Sequence, residues 1–438
     1  MASGLSTLRS SFADFTNVFG RSPATIVPRL RKGLSVLFGM IRGGDLASSQ
    51  GPIRVQVEVT DKCNFDCIMC NRLTRANVTF KLANDIDHAN FTRLIDQIDP
   101  FYVTLNGLGE PALNKSIDKI LIECRSRGIR TQMPSNMSIK KVMLEKIAPN
   151  PPGILTFSMH GATKESFEAV SVNSSFEECI ELFEAFLAKI DRKEVEVRIL
   201  CALQARNLTE YDGFYDYLSR WSLLDKFVLV PVYDYGTGGG EDRRVLPTIV
   251  EIETALTKID RDIVSSNDVS KTRFMQKWRE SILQIKAAEQ IVETGPCLVP
   301  WFSTYITAKG KVLPCCFLTD EDHVLGNIHE ADFQTIWNGE KYQEFRRQLR
   351  EGRGQLTGCR TCPRNDAARL AKYNPLSLLP TKWNLNGTRQ SVSPIDDGSI
   401  RKIPGAVPIT IKGRPIFPAA ELPPAPLNGP ETAVRISD

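Results

Sequence analysis

The chain has 438 residues, of which 42% are hydrophobic and 24% charged, a composition typical of a globular protein with two or three domains. A net charge of +4 does not indicate nucleic acid as a partner, and no run of about 18 apolar residues predicts a membrane span. Eight of the 11 cysteines fall in groups, and the first residues contain no apolar secretory core. Such grouping indicates metal or redox sites in a reducing compartment, so we expect a cytoplasmic protein.

The first 50 residues hold most of the excess positive charge, with six basic side chains and two acidic ones. Within them, residues 27–44 predict a short basic amphipathic helix. Such a helix either packs on the main domain through its apolar face or lies on an anionic membrane surface. We expect the packed helix, with peripheral membrane contact through residues 1–50 as the alternative.

From residue 53 the sequence alternates between strand and helix patterns. The strand patterns are IRVQVEVT, FYVTLNGLG, IRTQMPSN, ILTFSMHG, VEVRILCAL and KFVLVPV. The helical patterns between them lie near residues 87–98, 114–127, 138–148, 164–189 and 209–221. Strands that alternate with helices of this length are typical of βα units. The sequence therefore predicts an α/β fold, a partial (β/α)6 barrel with parallel strands, over residues 51–240.

Three further segments follow the predicted barrel. Residues 241–296 predict a helical connector, and residues 297–365 carry a second set of cysteines. The remainder, 366–438, is a tail rich in proline, with 11 of the 26 prolines from residue 375 onward. We expect this tail to be extended and in part without regular structure.

Alternation along the strands also predicts which side chains face the barrel lumen. The first strand points Val55, Val57 and Val59 to one side. Its polar residues and those of later strands point to the other side, namely Gln56, Glu58, Thr60, Thr104, Asn106, Thr156, Ser158 and Arg198. We expect this polar set to line the lumen.

The stretch CNFDCIMC places Cys63, Cys67 and Cys70 in one loop just after the first strand. This position is the C-terminal mouth of a parallel sheet, where such folds carry their active sites. Three thiolates can hold three irons of a cubane cluster and leave the fourth iron open. The alternative is a zinc knuckle that lacks one ligand.

This spacing of cysteines after a first strand resembles the signature of the radical S-adenosylmethionine (SAM) superfamily. The resemblance implies that the open iron of a [4Fe-4S] cluster binds the amino and carboxylate groups of SAM. It also implies that an electron from a donor such as flavodoxin or ferredoxin cleaves SAM to a 5′-deoxyadenosyl radical. That radical removes a hydrogen atom from an unactivated C–H bond of the substrate.

Three other short motifs resemble segments of the same superfamily that contact SAM. The first contributes Gly107, Gly109, Glu110 and Pro111, the second Ser135 and Asn136, and the third Ser158, all as candidate cofactor-binding residues. Two departures from the family pattern stand out. Ser171 occupies the place of an Arg that pairs with the SAM carboxylate, and we consider Arg198 its substitute or an ion-paired residue. His160 replaces an Asp, and it is either an acid or base for the substrate or, as we favour, a hydrogen-bonded structural residue.

The second set, Cys297, Cys315, Cys359 and Cys362, resembles the auxiliary-cluster domain called SPASM, in its shortened form called twitch. The resemblance implies a second [4Fe-4S] cluster in a small α+β domain over residues 297–365. Structural zinc on the same four thiols is the alternative. Cys316 adjoins Cys315, and we interpret it as a bystander or as a hydrogen donor to the substrate.

These resemblances imply an oxidoreductase or epimerase that acts on a small molecule such as a sugar or an aminocyclitol. Modification of a ribosomal peptide or protein side chain is the second candidate, and a degenerate iron–sulfur or zinc scaffold is the non-enzymatic one. Four thiols lie outside the two cluster sets, at Cys124, Cys179, Cys201 and Cys316. We expect Cys201 in the core because it shares a strand face with Val197 and Ile199.

Overall fold

The computed structural model describes residues 27, 29–35, 51–70, 72, 84–232, 244–288, 297–352, 356, 358, 359, 362, 410–411 and 414–415. The chain divides into two compact units, Met1–Lys382 and Trp383–Asp438. In the second unit, β10 (Thr410–Ile411) pairs antiparallel with β11 (Arg414–Pro415). The rest of the proline-rich tail and the glycine-rich stretch 233–243 lie outside the described residues.

A nine-stranded sheet forms the centre of the first unit, in the order β6-β5-β4-β3-β2-β1-β7-β8-β9. Its first six strands are β1 (Arg54–Val57), β2 (Tyr102–Leu105), β3 (Arg130–Ser135), β4 (Ile154–Ser158), β5 (Glu196–Leu203) and β6 (Phe227–Pro231). All neighbouring pairs among these six are parallel. The predicted partial barrel of parallel strands is therefore confirmed.

Helices follow the strands as the sequence predicts. After the first helical segment, α1 (29–35), they are α2 (His88–Ile98), α3 (Ile117–Ser126), α4 (Lys141–Ile147), α5 (Lys164–Val170), α6 (Phe176–Leu187), α7 (Tyr211–Arg220), α8 (Ile249–Ser265) and α9 (Val269–Ala288). The single helix predicted over 164–189 is wrong, because α5 and α6 are separate. Asn173 adopts a left-handed φ of 68°, and the Ser175 side chain caps α6 by accepting from the Glu178 backbone N–H.

The two faces of the sheet differ as the alternation predicts. Val55, Val57 and Val59 belong to the main hydrophobic core, together with buried side chains of the surrounding helices. Gln56 lies on the opposite face and pairs in register with Thr104 of β2. The lumen is thus lined by polar side chains that are largely buried, which is a costly arrangement unless they bind each other or a ligand.

The C-terminal cysteine-rich region continues the barrel sheet. After α10 (Val299–Phe302), β7 (Ser303–Ile306) pairs parallel with β1, and β8 (Lys311–Leu313) and β9 (Gly326–Asn327) add antiparallel strands. Two helices complete it, α11 (Phe333–Asn338) and α12 (Glu340–Gly352). The sequence predicts a separate small domain here, but its sheet is built directly on the edge of β1.

The helix α1 docks against the main unit through its basic residues. Arg29 donates to the backbone carbonyls of Arg127 and Gly128, at 2.9 and 3.0 Å. Lys32 donates to the carbonyls of Ile98 and Asp99, at 2.5 and 2.8 Å, and burial lowers the pKa of Lys32 to about 8. Both cations therefore satisfy carbonyls next to helix C-termini, as expected for a packed helix. Within the described residues, no helix has the length and apolarity that crossing a membrane requires.

Candidate functional site

The loop of the first cysteine set brings three half-buried thiols together. The Cys70 backbone N–H donates to the Cys67 carbonyl at 3.0 Å, which folds the loop back on itself. Burial raises the pKa of Cys63 to about 11 and that of Cys67 further. The Cys67 thiol interacts electrostatically with both Cys70 and Cys63, so the three thiols share one locality. Such an all-thiol donor set suits an iron–sulfur cluster, whose irons stabilise the thiolates that burial disfavours.

The segment between α5 and α6 helps to hold the cysteine loop in place. The backbone N–H groups of Asp66 and Ile68 donate to the carbonyls of Val172 and Val170, at 2.9 and 3.0 Å. Between those carbonyls, the buried Ser171 hydroxyl hydrogen bonds to the Cys67 thiol. Ser171, where the family pattern has an Arg, thus contacts one thiol of the first cysteine set directly. Nothing in the local sequence around Ser171 indicates this contact.

Gly107 and Gly109 allow the chain after β2 to lie against the strand β1. A Cβ atom on Gly107 would stand 2.3 Å from Glu58 Cγ. A Cβ atom on Gly109 would stand 2.3 Å from the Thr60 carbonyl oxygen and 2.5 Å from that of Lys62. The resemblance predicts that these glycines make room for a ligand. The close approach that the structure shows is to the chain itself, immediately before Cys63.

Glu110 ties this glycine loop to the end of β3. Its carboxylate accepts from the Ser135 hydroxyl and the Asn136 backbone N–H, both at 2.8 Å. Burial raises the pKa of Glu110 to about 7, against the effect of these hydrogen bonds. Asn136 in turn donates to the Asn64 side chain of the cysteine loop at 3.0 Å. Glu110, Ser135 and Asn136 therefore act together to position the cysteine loop.

Glu58 is a residue of this site that the sequence places in the lumen without a role. Its carboxylate accepts from the Leu108 backbone N–H at 2.7 Å, the Tyr305 hydroxyl at 2.8 Å and the Ala308 backbone N–H at 3.1 Å. It thereby joins β1, the glycine loop and the end of β7. Tyr305 lies 247 positions away along the chain, so no local pattern could have indicated the contact.

Two buried polar atoms at the C-terminal edge of the sheet lack a hydrogen-bond partner among the described residues. They are Asn106 Oδ1, directly after β2, and Gln204 Oε1, directly after β5. An unsatisfied buried acceptor is costly unless a ligand donates to it. SAM carries ammonium, amino and hydroxyl donors, so these acceptors and the thiol loop fit a SAM-bound cluster at this edge.

Ser158 is the last residue of β4 and lies at the C-terminal edge of the sheet. The buried His160 follows two positions later. The His160 Nδ1 atom accepts a hydrogen bond from the Ala202 backbone N–H at 3.2 Å, so the ring proton lies on Nε2. Burial lowers the pKa of His160 to about 4, which keeps the ring neutral. Its carbonyl accepts from the Asn207 side chain at 2.8 Å. These contacts agree with the structural interpretation of His160.

Arg198 lies away from the edge that carries the cysteine loop. In register it pairs with Thr156, whereas Ser158 pairs with Leu200, so Arg198 is about 7 Å nearer the N-terminal edge of the sheet than Ser158. Its guanidinium binds the Glu196 carboxylate, with contacts of 2.7 and 2.8 Å. Arg130 binds the other oxygen of Glu196 at 2.9 Å. This arrangement supports the ion-paired interpretation of Arg198.

The second cysteine set gathers around one small hydrophobic cluster. Cys359 is buried in it beside Trp301, and Cys297 and Cys315 pack against it. The Cys362 backbone N–H donates to the Cys359 carbonyl at 3.3 Å. Burial raises the pKa of Cys315 strongly, and the thiol also interacts with Cys297. The four thiols therefore suit an iron–sulfur cluster in the same way as the first set.

The spare thiols divide into two kinds. Cys124, Cys179 and Cys201 are fully buried in the main core, as the alternation predicts for Cys201. Cys316 is half-buried and interacts electrostatically with Cys315. Among the residues that the structure describes, no three His, Cys, Asp or Glu side chains are arranged as ligands of a single metal ion.

Comparisons with known proteins agree with this architecture. The family model of SPASM, an iron–sulfur cluster-binding domain, matches residues 297–363. The AdoMet-dependent heme synthase of Methanosarcina barkeri is 23% identical over 318 residues, which cover 69% of this chain and 86% of that protein. The crystal structure of Streptococcus suis SuiB bound to its precursor peptide SuiA has a TM-score of 0.51 and 16% identity, and covers 74% of this chain and 73% of that chain. At this identity the likeness to SuiB shows the fold alone.

A shorter match concerns the S-adenosyl-L-methionine-dependent 2-deoxy-scyllo-inosamine dehydrogenase of Niallia circulans. It is 39% identical over 67 residues, which cover 15% of this chain and 27% of that enzyme. The match therefore spans little more than a quarter of the dehydrogenase.

Proposed function

We propose that this chain, a radical SAM protein with a C-terminal SPASM domain, a SAM-bound [4Fe-4S] cluster and an auxiliary cluster, oxidises or epimerises a small molecule held in the barrel lumen. A sugar or an aminocyclitol is the substrate class that we favour. The local 39% identity to a dehydrogenase of 2-deoxy-scyllo-inosamine supports this class. The polar lining of the lumen supports it as well, since polyhydroxylated substrates require many hydrogen-bond partners.

The observation that carries the proposal is the position of the two cysteine sets at opposite ends of one sheet. Cys63 follows β1 and therefore lies at its C-terminal edge. Cys297 precedes β7, which runs parallel to β1, and Cys315 follows the antiparallel β8, so both lie at the N-terminal edge. From Arg54 to Thr60 the sheet measures about 20 Å. A substrate in the lumen would thus lie between the two clusters.

This placement suits a reaction with two separate electron steps. When bound, the first cluster and SAM supply a radical that takes a hydrogen atom from a substrate carbon. In a dehydrogenation, the substrate alcohol loses this hydrogen atom to the 5′-deoxyadenosyl group, one electron to the auxiliary cluster and its hydroxyl proton to a base. The products are a carbonyl compound and 5′-deoxyadenosine.

Epimerisation differs only in the second step. The substrate radical would then receive a hydrogen atom on its opposite face from a thiol, and one electron from the external donor and one proton would return the resulting thiyl radical to the thiol. Cys316 is the candidate donor, because it is the spare thiol that lies outside the main core and beside the second set. Turnover in deuterated buffer separates the two reactions: deuterium at the reacting carbon of the product indicates epimerisation, and its absence indicates dehydrogenation.

Modification of a peptide or protein side chain is the second candidate. The similarity of fold to SuiB, whose structure contains a precursor peptide, favours it. Turnover with a panel of aminocyclitols and sugars, measured as 5′-deoxyadenosine above the substrate-free rate, decides between the two classes.

The first experiment tests the two clusters themselves. The protein reconstituted anaerobically should bind about eight irons, and the triple change of Cys63, Cys67 and Cys70 to Ala should leave about four. That variant should no longer cleave SAM. The matched control changes Cys124 and Cys179 to Ala, which removes two core thiols and should leave all eight irons. Tightly bound zinc without visible-region absorbance would contradict the proposal.

The second experiment tests the electron-acceptor role of the auxiliary cluster. Changing Cys359 and Cys362 to Ala removes half of its ligands and should leave SAM cleavage at the first cluster intact. Product should fall much further than 5′-deoxyadenosine, so the ratio of 5′-deoxyadenosine to product should rise from near one to well above one. A ratio that stays near one while both fall would refute the electron-acceptor role and leave a role in folding or substrate placement.

A further inference from the structure

A buried arginine lies in the wall of the C-terminal domain. The Arg346 side chain on α12 is 1% exposed. Its guanidinium carbon lies 4.3 Å from the ring centre of Trp337 and 4.2 Å from that of Tyr342, so the cation is stacked between two aromatic rings. Two of its nitrogens have partners: Nε donates to the Pro300 carbonyl at 3.0 Å and Nη1 to the Trp337 carbonyl at 2.9 Å.

The third nitrogen, Nη2, is buried and has no hydrogen-bond partner among the described residues. No carboxylate of the described part of the chain forms an ion pair with Arg346 either. Burial lowers the pKa of this guanidinium to about 10, and it still remains charged at neutral pH. A buried cation without an anion is strongly destabilising, so the fold lacks a negative partner at this point.

The surroundings identify the missing anion. Phe345 and Leu349, on the same helix as Arg346, belong to the hydrophobic cluster that contains Trp301 and Cys359. The pKa of Tyr342 is raised by burial, lowered by Arg346 and raised by Cys315, so the guanidinium and this thiol act on the same phenol. Trp301 Nε1 is a second buried donor without a partner in the described residues. Trp301 therefore lies in the wall around the second cysteine set, and Arg346 lies between this wall and the main core, to which its stacked rings Trp337 and Tyr342 belong.

We propose that Arg346 is the fixed counter-charge of the auxiliary cluster and raises its reduction potential. The inference rests on the auxiliary cluster of the proposed function. A cluster held by four thiolates is anionic and gains a further negative charge on reduction. A cation fixed nearby in a low-dielectric wall stabilises the reduced form more than the oxidised form. Arg346 thereby makes the cluster a better acceptor for the substrate's second electron, as a positioning residue that touches no substrate.

The test is a potentiometric titration followed by electron paramagnetic resonance. The background is the triple variant with Ala at Cys63, Cys67 and Cys70, in which any iron–sulfur signal comes from the auxiliary cluster. At the potential where this background is half reduced, Arg346→Gln should lower the ratio of reduced to oxidised cluster about tenfold or more. For a one-electron couple, a tenfold change equals a shift of about 59 mV to lower potential.

Two further variants separate charge from structure. Arg347 is the next residue, but its side chain is 55% exposed and pairs with Glu344 and Glu351. Arg347→Gln removes the same charge in a solvent-screened position and should change the ratio less than about twofold. Arg346→Lys keeps the charge and should also stay within about twofold of the background.

The measured potentials and iron contents of these variants decide whether Arg346 is the counter-charge. An unchanged potential in Arg346→Gln, or an equal shift in Arg346→Lys, would overturn the proposal. If Arg346→Gln fails to retain four irons while Arg346→Lys retains them, the counter-charge role is supported, because the variant that keeps the positive charge is the one that keeps the cluster. Failure of both variants would overturn it in favour of a role in shape. A background that binds no iron at all would instead contradict the auxiliary cluster itself, which keeps the two failures distinguishable.

Discussion

Gly109 offers a sharp test of how the cysteine loop is held. In Gly109→Ala, the new Cβ atom would lie 2.3 Å from the Thr60 carbonyl oxygen and 2.5 Å from the Lys62 carbonyl oxygen. Ordinary contact requires about 3.4 Å, so both carbonyls must retreat by about 1 Å. Both obstacles are backbone, which cannot rotate away as a side chain could. Overpacking of this kind costs about 1–3 kcal/mol, and we expect the upper end of that range.

The displaced backbone leads directly into Cys63. The Glu110 backbone N–H donates to the Lys62 carbonyl at 2.7 Å, and the same movement would lengthen this hydrogen bond. We therefore expect Gly109→Ala to bind about four irons, those of the auxiliary cluster, although no cysteine has changed. Iron content, visible absorbance and the denaturation midpoint of the apoprotein are the measurements.

Gly33→Ala is the matched control. A Cβ atom there meets nothing closer than 3.9 Å, at Phe101 Cε2 in the neighbouring segment. Because Gly33 lies in α1, the change should stabilise the helix by up to about 1 kcal/mol and leave about eight irons. A Gly109→Ala protein with about eight irons and the parent's midpoint would refute the argument that this backbone contact fixes the loop.

Three other changes test single contacts of the lumen and its edges. Burial lowers the pKa of His160 from 6.5 to about 4, so between these two pH values the unfolded chain binds a proton that the folded chain does not. The contribution of His160 to apoprotein stability should be complete above about pH 6.5 and should fall by about 3 kcal/mol towards pH 4. Because the raised pKa of Glu110 acts in the opposite direction over the same range, the measurement is the difference between the denaturation series of the parent and of His160→Gln. Tyr305→Phe removes a donor from the buried Glu58 carboxylate and should lower the free energy of unfolding by about 1–3 kcal/mol. A change below about 0.5 kcal/mol would show that the backbone N–H groups of Leu108 and Ala308 satisfy the carboxylate without the tyrosine. Arg198→Ala should change the SAM dissociation constant less than about threefold, because Arg198 is paired with Glu196. A loss of about 1.5–3 kcal/mol in SAM binding would instead indicate that Arg198 binds the SAM carboxylate.

Much of the fold follows from short-range patterns. The period-two alternation of IRVQVEVT predicts both a strand and its faces, because side chains of a strand point alternately to opposite sides. The break at Ser171–Ser175 is not evident from the pattern, although Asn173 and Ser175 are residues that favour turns and caps. The apolar periodicity on both sides is strong enough to suggest one continuous helix.

The cysteine loop is predictable for a similar reason. Its three thiols lie within eight residues, so their proximity is a property of the local chain and needs no tertiary contact. The pairing of Arg198 with Glu196 is also local, two positions apart on one strand face, but the sequence could not choose it over a bound carboxylate. That choice depends on which edge of the sheet holds the ligand and how far a side chain reaches.

By itself the sequence thus determined the order of strands and helices, the polar face of the barrel and both groups of thiols, all of which are set by residues near one another in the chain. Only the tertiary structure decided that β7 would extend the sheet beside β1, that Glu58 would meet Tyr305, and that Arg346 would be buried without an anion among the described residues. The physical reason is that such contacts close loops of tens to hundreds of residues. Their energy comes from the packed whole, and no periodicity of the intervening chain encodes it.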